Sequence, residues 1–355
     1  MKNKPIEENA KDIWEYTNGH PIMVRFSVFQ KGLENHVKQV YREFLIVNGR
    51  PSRERVKASI LCSLFDISSI SITTNLLEDL SLYNTASDLE STFLKYDDDT
   101  KIWKTIHPRW DLELLKHLFS ITNFRDRKCI DEYFSESIYR LLNLNDDKFN
   151  QVNKIGIVES VYVTMAINNF INIDKIDELL NPEEIAQRFD DRGRSSFFIV
   201  LGISRGQLGD YPMAIEYLNK ALELKKKLGD EKGVSVCYSN MGRAYYEHGE
   251  YLKAIESLDK AIELKKKLGD EKGEYGCYLT LAGAYYKLDD FGKFFDSQNK
   301  ALEIAKRIRD IYGELVCYGN LRIAYSKLGD FIKVIEYQNK AEEIKKRGSF
   351  GTQIQ

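Results

Sequence analysis

The 355-residue chain contains no apolar run approaching the ~18 residues that a membrane-spanning helix needs. Its first residues, MKNKPIEENAKDIW, lack the apolar core of a secretory leader, so a cytoplasmic protein with no membrane partner is expected. Five cysteines occur, none in a Cys-x-x-Cys pair, which fits a reduced compartment and argues against a disulfide framework. The five histidines, His20, His36, His107, His117 and His248, show no metal spacing such as H-E-x-x-H, and no metal or cofactor is expected. A phosphate-binding G-x-x-x-x-G-K-[S/T] loop is also missing; the nearest glycine-lysine pair, Gly292-Lys293, is followed by Phe294. A formal net charge of −2 gives no general attraction for nucleic acid. The sequence offers no hydrolase nucleophile signature and no catalytic cysteine signature on this reading, so a non-catalytic protein is expected.

What the chain does have is a repeat. Lys225–Gly233 reads KKKLGDEKG, and Lys265–Gly273 reads the same, 40 residues on. The register extends beyond that string. Cys237, Cys277 and Cys317 align, as do Tyr238, Tyr278 and Tyr318, and Ala221, Ala261, Ala301 and Ala341. Tyr245, Tyr285 and Tyr325 form a further column, with Arg205 in the first repeat. A fixed period of this size means stacked supersecondary units, each burying the open face of its neighbour. The unit reads as helix A, turn, helix B. In the second repeat the helices are expected over Ser235–His248 and Tyr251–Leu268, with Gly249 at the turn and Gly229 and Gly269 as C-caps. Helix B carries Ala254, Leu258, Ala261 and Ile262 on one face, and that stripe is expected to end in a solvated Lys265. The three aligned cysteines are expected in the core of helix A.

These columns resemble the tetratricopeptide repeat. Gly242, Tyr245, Ala254, Leu258 and Ala261 match its pattern in the second repeat, and Gly202, Ala214, Leu218 and Ala221 in the first. The third repeat departs with Phe294, and the fourth with Arg322 and Val334, where small residues are expected. The family period is about 34 residues; the extra six are expected in longer helices or in the LGDEKG turn. The resemblance implies that helix A lines a concave, peptide-binding face. The residues it places there are Asn240, Arg243, Tyr246 and Glu247, then Thr280, Tyr286 and Lys287, then Asn320 and Lys327. An asparagine amide both donates and accepts, so Asn240 and Asn320, in one column, suit a peptide backbone. The alternative is that all these are simply solvated polar residues.

The N-terminal half reads as helices with one hairpin. Ser52–Phe65 puts Val56, Ile60, Leu61 and Leu64 on one face, and a short extended piece is expected at Ile70–Ile72. The arms Phe93–Tyr96 and Ile102–Ile106 flank the acidic turn Asp97–Thr100, a hairpin pattern. Helices followed by a hairpin give the order of a winged helix. TNGHPI at Thr17–Ile22 resembles the lid motif of signal-transduction ATPases with numerous domains, and TIHP at Thr105–Pro108 resembles the Met-His-Asp motif of that class. The resemblance implies vestigial nucleotide contacts at Pro21 and His107; a capping or core role for His107 stands beside it. The expected third helix, Thr85–Leu94, carries Asp88 and Glu90 and no basic residue, and Asp97, Asp98 and Asp99 form the wing tip, so a DNA groove would be repelled. Residues 111–195 read as less regular helices, among them Trp110–Phe119, Val158–Phe170 and Ile176–Leu180, with turns at Asn181-Pro182 and Asp190–Arg194.

The expected fold is therefore mainly α: a helical lid-like segment (1–48), a winged-helix-like domain (49–110), a helical linker or degenerate repeats (111–194), four tetratricopeptide repeats (195–347) and a disordered tail (348–355). The leading function is a non-catalytic scaffold or regulator in signal transduction whose groove binds a protein or peptide. The second is the regulatory portion of a split or truncated ATPase switch, acting with a nucleotide-binding domain in trans. A winged-helix transcription regulator ranks last.

Overall fold

The structure is a computed structural model; it describes residues 38, 45–47, 50–67, 72–73, 94–97, 102–105, 110–143, 151–162 and 173–351. Pro21, His107 and most of Thr85–Leu94, on which the lid, Met-His-Asp and recognition-helix readings rest, lie outside these residues. The chain divides into two compact units, residues 1–188 and 189–355.

In the first unit a two-residue antiparallel pair, β1 (Ile46–Val47) and β2 (Arg50–Pro51), leads into α1 (Arg53–Ile67). The expected face of that helix is the buried one: Val56, Ile60, Leu61 and Leu64 are all inaccessible. The expected hairpin is formed by β4 (Leu94–Asp97) and β5 (Ile102–Thr105), with Tyr96 opposite Trp103. A third strand, β3 (Ile72–Thr73), pairs on the other side of β5 and overlaps the end of the expected extended piece at Ile72. Helix α2 (Trp110–Phe119) has the expected bounds.

Helix α3 (Phe124–Leu142) has no counterpart among the expected elements; Asn123 caps it through Oδ1, and Phe134 meets Phe119 edge-on at 5.0 Å. Its Glu136 takes both Arg53 and Lys57 of α1. Next come α4 (Gln151–Ser160), α5 (Ile173–Leu180) and α6 (Pro182–Ala186). The expected turn at Asn181-Pro182 is the start of α6: Asn181 is its N-cap and Pro182 its first residue, where a missing N–H costs nothing.

The second unit is an α-solenoid of four helical hairpins: α7 (Asp191–Gln207) with α8 (Tyr211–Lys227), α9 (Glu231–His248) with α10 (Tyr251–Leu268), α11 (Glu271–Lys287) with α12 (Phe291–Arg307), and α13 (Ile311–Leu328) with α14 (Phe331–Gly351). Within the stack, successive helices pack on one another. The expected hinge at Asp190–Arg194 is instead the capped start of α7, since Asp190 Oδ1 accepts from Gly193 N at 2.7 Å. Helix α10 has its expected bounds, whereas α9 starts four residues early because Asp230 caps it. The extra length of each repeat thus lies in helices of 17 or 18 residues and not in the LGDEKG turn.

The repeated string has a definite job at the junction between hairpins. Gly229 and Gly269 close helix B with φ of 66° and 67°, a conformation that favours glycine. The next residue, Asp230 or Asp270, accepts from the backbone N–H of Gly233 or Gly273 at 2.9 Å and so caps helix A. The first lysine of the string then returns to the same carboxylate: Lys225 Nζ at 2.9 Å from Asp230, Lys265 Nζ at 2.8 Å from Asp270. Both lysines are buried, which corrects the expectation of a solvated Lys265. Gly233 is glycine because a Cβ there would stand 2.5 Å from Lys225 Cδ. The third lysine of the string reaches back to the start of helix A in its own hairpin, Lys227 to Asp191 and Lys267 to Glu231, and Arg307 does the same to Glu271.

The cysteine column is core, as expected. Cys237, Cys277 and Cys317 are at most 3% exposed, and burial pushes their thiols up to about 12, 11 and 11. Among the described residues no group of histidine, cysteine or carboxylate side chains could hold a metal ion, and no helix is long and apolar enough to cross a membrane.

Candidate functional site

Helix A positions three and four residues apart share a face. On α9 these are Asn240, Arg243 and Glu247, and they meet in one hollow of about 330 Å³, closed on the other side by Gly202, Gly206 and Tyr211 of the first hairpin. Gly202 lets the two helices of that hairpin approach closely: a Cβ on it would press into Leu218 at 2.6 Å. Arg243 and Glu247 are exposed. Asn240 Nδ2 donates to Val236 O at 2.9 Å, which orients its amide along the helix.

A second hollow, of about 320 Å³, lies two repeats on. It gathers Tyr246, Tyr286, Lys287 and Asn320 from the expected set, and adds Gly283, Phe294 and Gln298. Tyr246 leans against Tyr251, with ring centroids 5.9 Å apart, and its hydroxyl would be 3.1 Å from a Cβ on Gly283. It is half-buried and is a contact between repeats as much as part of the face. Burial, then the Glu247 carboxylate, raise its phenol above the usual value.

Two expected residues join neither hollow. Thr280 Oγ1 donates to Gly276 O at 3.2 Å within its own helix. Lys327 sits 4.8 Å over the Tyr286 ring and 5.3 Å over that of Phe291, and is ion-paired with Asp289, which raises its pKa. Lys327 is thereby a clamp between the third and fourth hairpins.

Gln298 is the residue of this face that the family pattern does not mark. It is fully buried, and only its column gives it away: Leu218 and Leu258 precede it at the same position. Contrary to the expectation of no hydrolase nucleophile signature, Gly202-Ile203-Ser204-Arg205-Gly206 fits G-x-S-x-G in letters. It lies inside α7 with Ser204 buried, not on the strand-to-helix turn that exposes a hydrolase nucleophile.

Comparison with known proteins bears on the repeats. The sequence profile of the tetratricopeptide repeat matches residues 198–267. That match spans the first two hairpins, α7 to α10, and the second unit as a whole is an α-solenoid of the same helical-hairpin kind. The crystal structure of BtubC (BKLC) from P. vanneervenii is similar over 64% of this chain and 93% of that one, with a TM-score of 0.51 and 18% identity, a likeness of fold. A Signal Transduction ATPase with Numerous Domains protein with a tetratricopeptide repeat sensor, from Pyrococcus horikoshii, aligns with 96% of this chain and 58% of its own length, at 18% identity and a TM-score of 0.47. A Rap protein complexed with Competence and Sporulation Factor aligns with 82% of this chain and 77% of its own, at 15% identity and a TM-score of 0.45. No curated protein matches the chain.

Proposed function

We propose that the chain is a non-catalytic protein-interaction scaffold, and that the helix A face of its repeats holds a peptide or an extended segment of a protein partner. The observation that carries this reading is the pair of hollows two repeats apart, each with an asparagine of the same column, Asn240 and Asn320. Carboxamides at a regular spacing suit a ligand with a regular array of backbone donors and acceptors. The exposed Arg243 and Glu247 in the first hollow, and the rings of Tyr246 and Tyr286 in the second, supply the side-chain types favoured at binding hot spots and the polar contacts around them. The N-terminal segments are then a docking or regulatory module.

Panning a random-peptide display library against the full chain tests the reading. Enrichment that is lost in Asn240→Ala/Arg243→Ala supports it; enrichment that survives in that variant moves the binding surface elsewhere. Titration calorimetry with ATP separates this reading from a nucleotide switch. Sub-micromolar binding, more than about 8 kcal/mol of free energy, would restore a nucleotide role for Pro21 and His107.

A further inference from the structure

Three of the columns at which the third hairpin departs from the first two meet in one place. Where they have Leu218 and Leu258 it has Gln298; where they have Ala214 and Ala254 it has Phe294; where they have Ile203 and Arg243 it has Gly283. All three departures line the 320 Å³ hollow, together with Tyr246, Tyr286 and Asn320. Gly283 keeps that space open beside the Tyr246 hydroxyl.

Gln298 has no exposed surface, and its Nε2 has no hydrogen-bond partner. Its Oε1 receives only Asn320 Nδ2 at 3.5 Å, the outer limit of a hydrogen bond. The Gln298 amide favours the anion of the neighbouring Cys317, but a thiol sulfur is a poor acceptor and is not within bonding geometry of Nε2. A buried amide donor without an acceptor is destabilising. Leucine at the same column in two other repeats means that the stack does not need an amide there.

We propose that this hollow is a side-chain subsite of the groove, a reading that rests on the peptide-binding function above. It takes one uncharged side chain with an apolar body and an acceptor oxygen at its tip, the glutamine, asparagine or tyrosine class. The Tyr286 and Phe294 rings cover the body, and Gln298 Nε2 donates to the tip. A carboxylate is excluded because Gln298 offers one neutral donor in an apolar seam, while the cation lining the hollow, Lys287, is exposed. Nε2 is sealed from water, so the ligand must displace Asn320, whose stretched contact to Gln298 makes that displacement easy.

A positional-scanning hexapeptide library, bound to the full chain, provides the test. Wild type should prefer glutamine, asparagine or tyrosine over leucine at one position by about tenfold, the worth of one buried hydrogen bond. Gln298→Leu should reverse that preference at that position alone, leave the other positions as they were, and raise the melting temperature. Should Gln298→Leu not fold, Gly283→Ala, which fills the hollow, should abolish the preference in its place. An unchanged preference in the folded variant, a lower melting temperature of folded Gln298→Leu, or wild-type selection of aspartate or glutamate at that position would each overturn the subsite. Retention of peptides without the preference sinks the subsite alone; no retention by wild type sinks the peptide reading with it.

Discussion

Lys265 Nζ lies 2.8 Å from Asp270 Oδ2, and the lysine reaches it across the space where a side chain on Gly273 would be. The same arrangement recurs at Lys225, Asp230 and Gly233. One carboxylate therefore caps a helix and neutralises a buried ammonium, and a side chain on the glycine three residues later would press on both the carboxylate and the lysine. Gly273→Ala should lower stability by about 1–2 kcal/mol, because the cap and the pair are disturbed together, outweighing alanine's better helix propensity. Gly276, in the same helix, has nothing within 4 Å of where an added methyl would stand, so Gly276→Ala should raise stability by about 0.5–1 kcal/mol. Urea unfolding of the two variants decides it; a gain in stability from both would show that the lysine simply moves aside.

The same carboxylates give the stack an acid limit. The Lys265 ammonium, then the Gly273 N–H, hold Asp270 below its ordinary 3.8; for Asp230 the Gly233 N–H comes first and Lys225 second. A carboxylate whose pKa is lower folded than unfolded stabilises the fold above its ordinary value and loses that contribution as pH falls through the folded value. Stability should therefore be level near neutrality and fall below about pH 4. Asparagine keeps the cap and removes the charge. Asp270→Asn should melt earlier than wild type at neutral pH and converge with it in acid, in melting curves collected from about pH 2 to 6. A constant gap across that range would rule out the charge as its cause.

The buried thiols of Cys237, Cys277 and Cys317 should resist alkylation in the native state. With folded values of about 11 to 12, their thiolate fraction at pH 8 is about a thousandth or less, and burial blocks access as well. Half-buried Cys129 should label before these three. Mass spectrometry after iodoacetamide treatment, with and without urea, reads this directly. Cys277→Ser should cost about 1–3 kcal/mol by placing a hydroxyl in an apolar seam, and Cys277→Ala less. Stoichiometric zinc that disappeared in these variants would overturn the core assignment.

How much of this is legible in the sequence follows from which interactions are periodic. The 40-residue register locates α10 to the residue and the buried cysteines by name, because every repeat solves the same packing problem with the same residues. Lys265 misleads because a lysine at the end of an apolar stripe is ordinarily solvated, and its partner, Asp270, belongs to the next hairpin. Helix α3 leaves no such trace because its Phe119, Arg53 and Lys57 contacts come from other stretches without a repeat to betray them. Gln298 is legible only as a break in a leucine column, and its meaning depends on Gly283 and Asn320, which the fold brings to it.

The groove itself is tested by separating residues that face a ligand from residues that hold the stack. Tyr246 belongs to both groups, since it packs on Tyr251 and beside Gly283. Tyr246→Ala should therefore lower the melting temperature, and loss of binding in that variant alone would not identify the face. Asn240 and Arg243 are the cleaner pair: one is half-buried and bonds only its own helix, the other is exposed. Asn240→Ala/Arg243→Ala should leave unfolding within about 0.5 kcal/mol of wild type, while weakening a library-selected peptide by more than about 2 kcal/mol if both are hot spots. Lys253→Ala is the matched control. That lysine is exposed on helix B, pairs with Glu250 and lies 5.5 Å over the Tyr245 ring, away from both hollows, so its loss should not change binding. Fluorescence anisotropy with the labelled peptide compares the three proteins. Equal affinity for wild type and the double variant would place the partner on another surface, and the N-terminal unit would be the next to test.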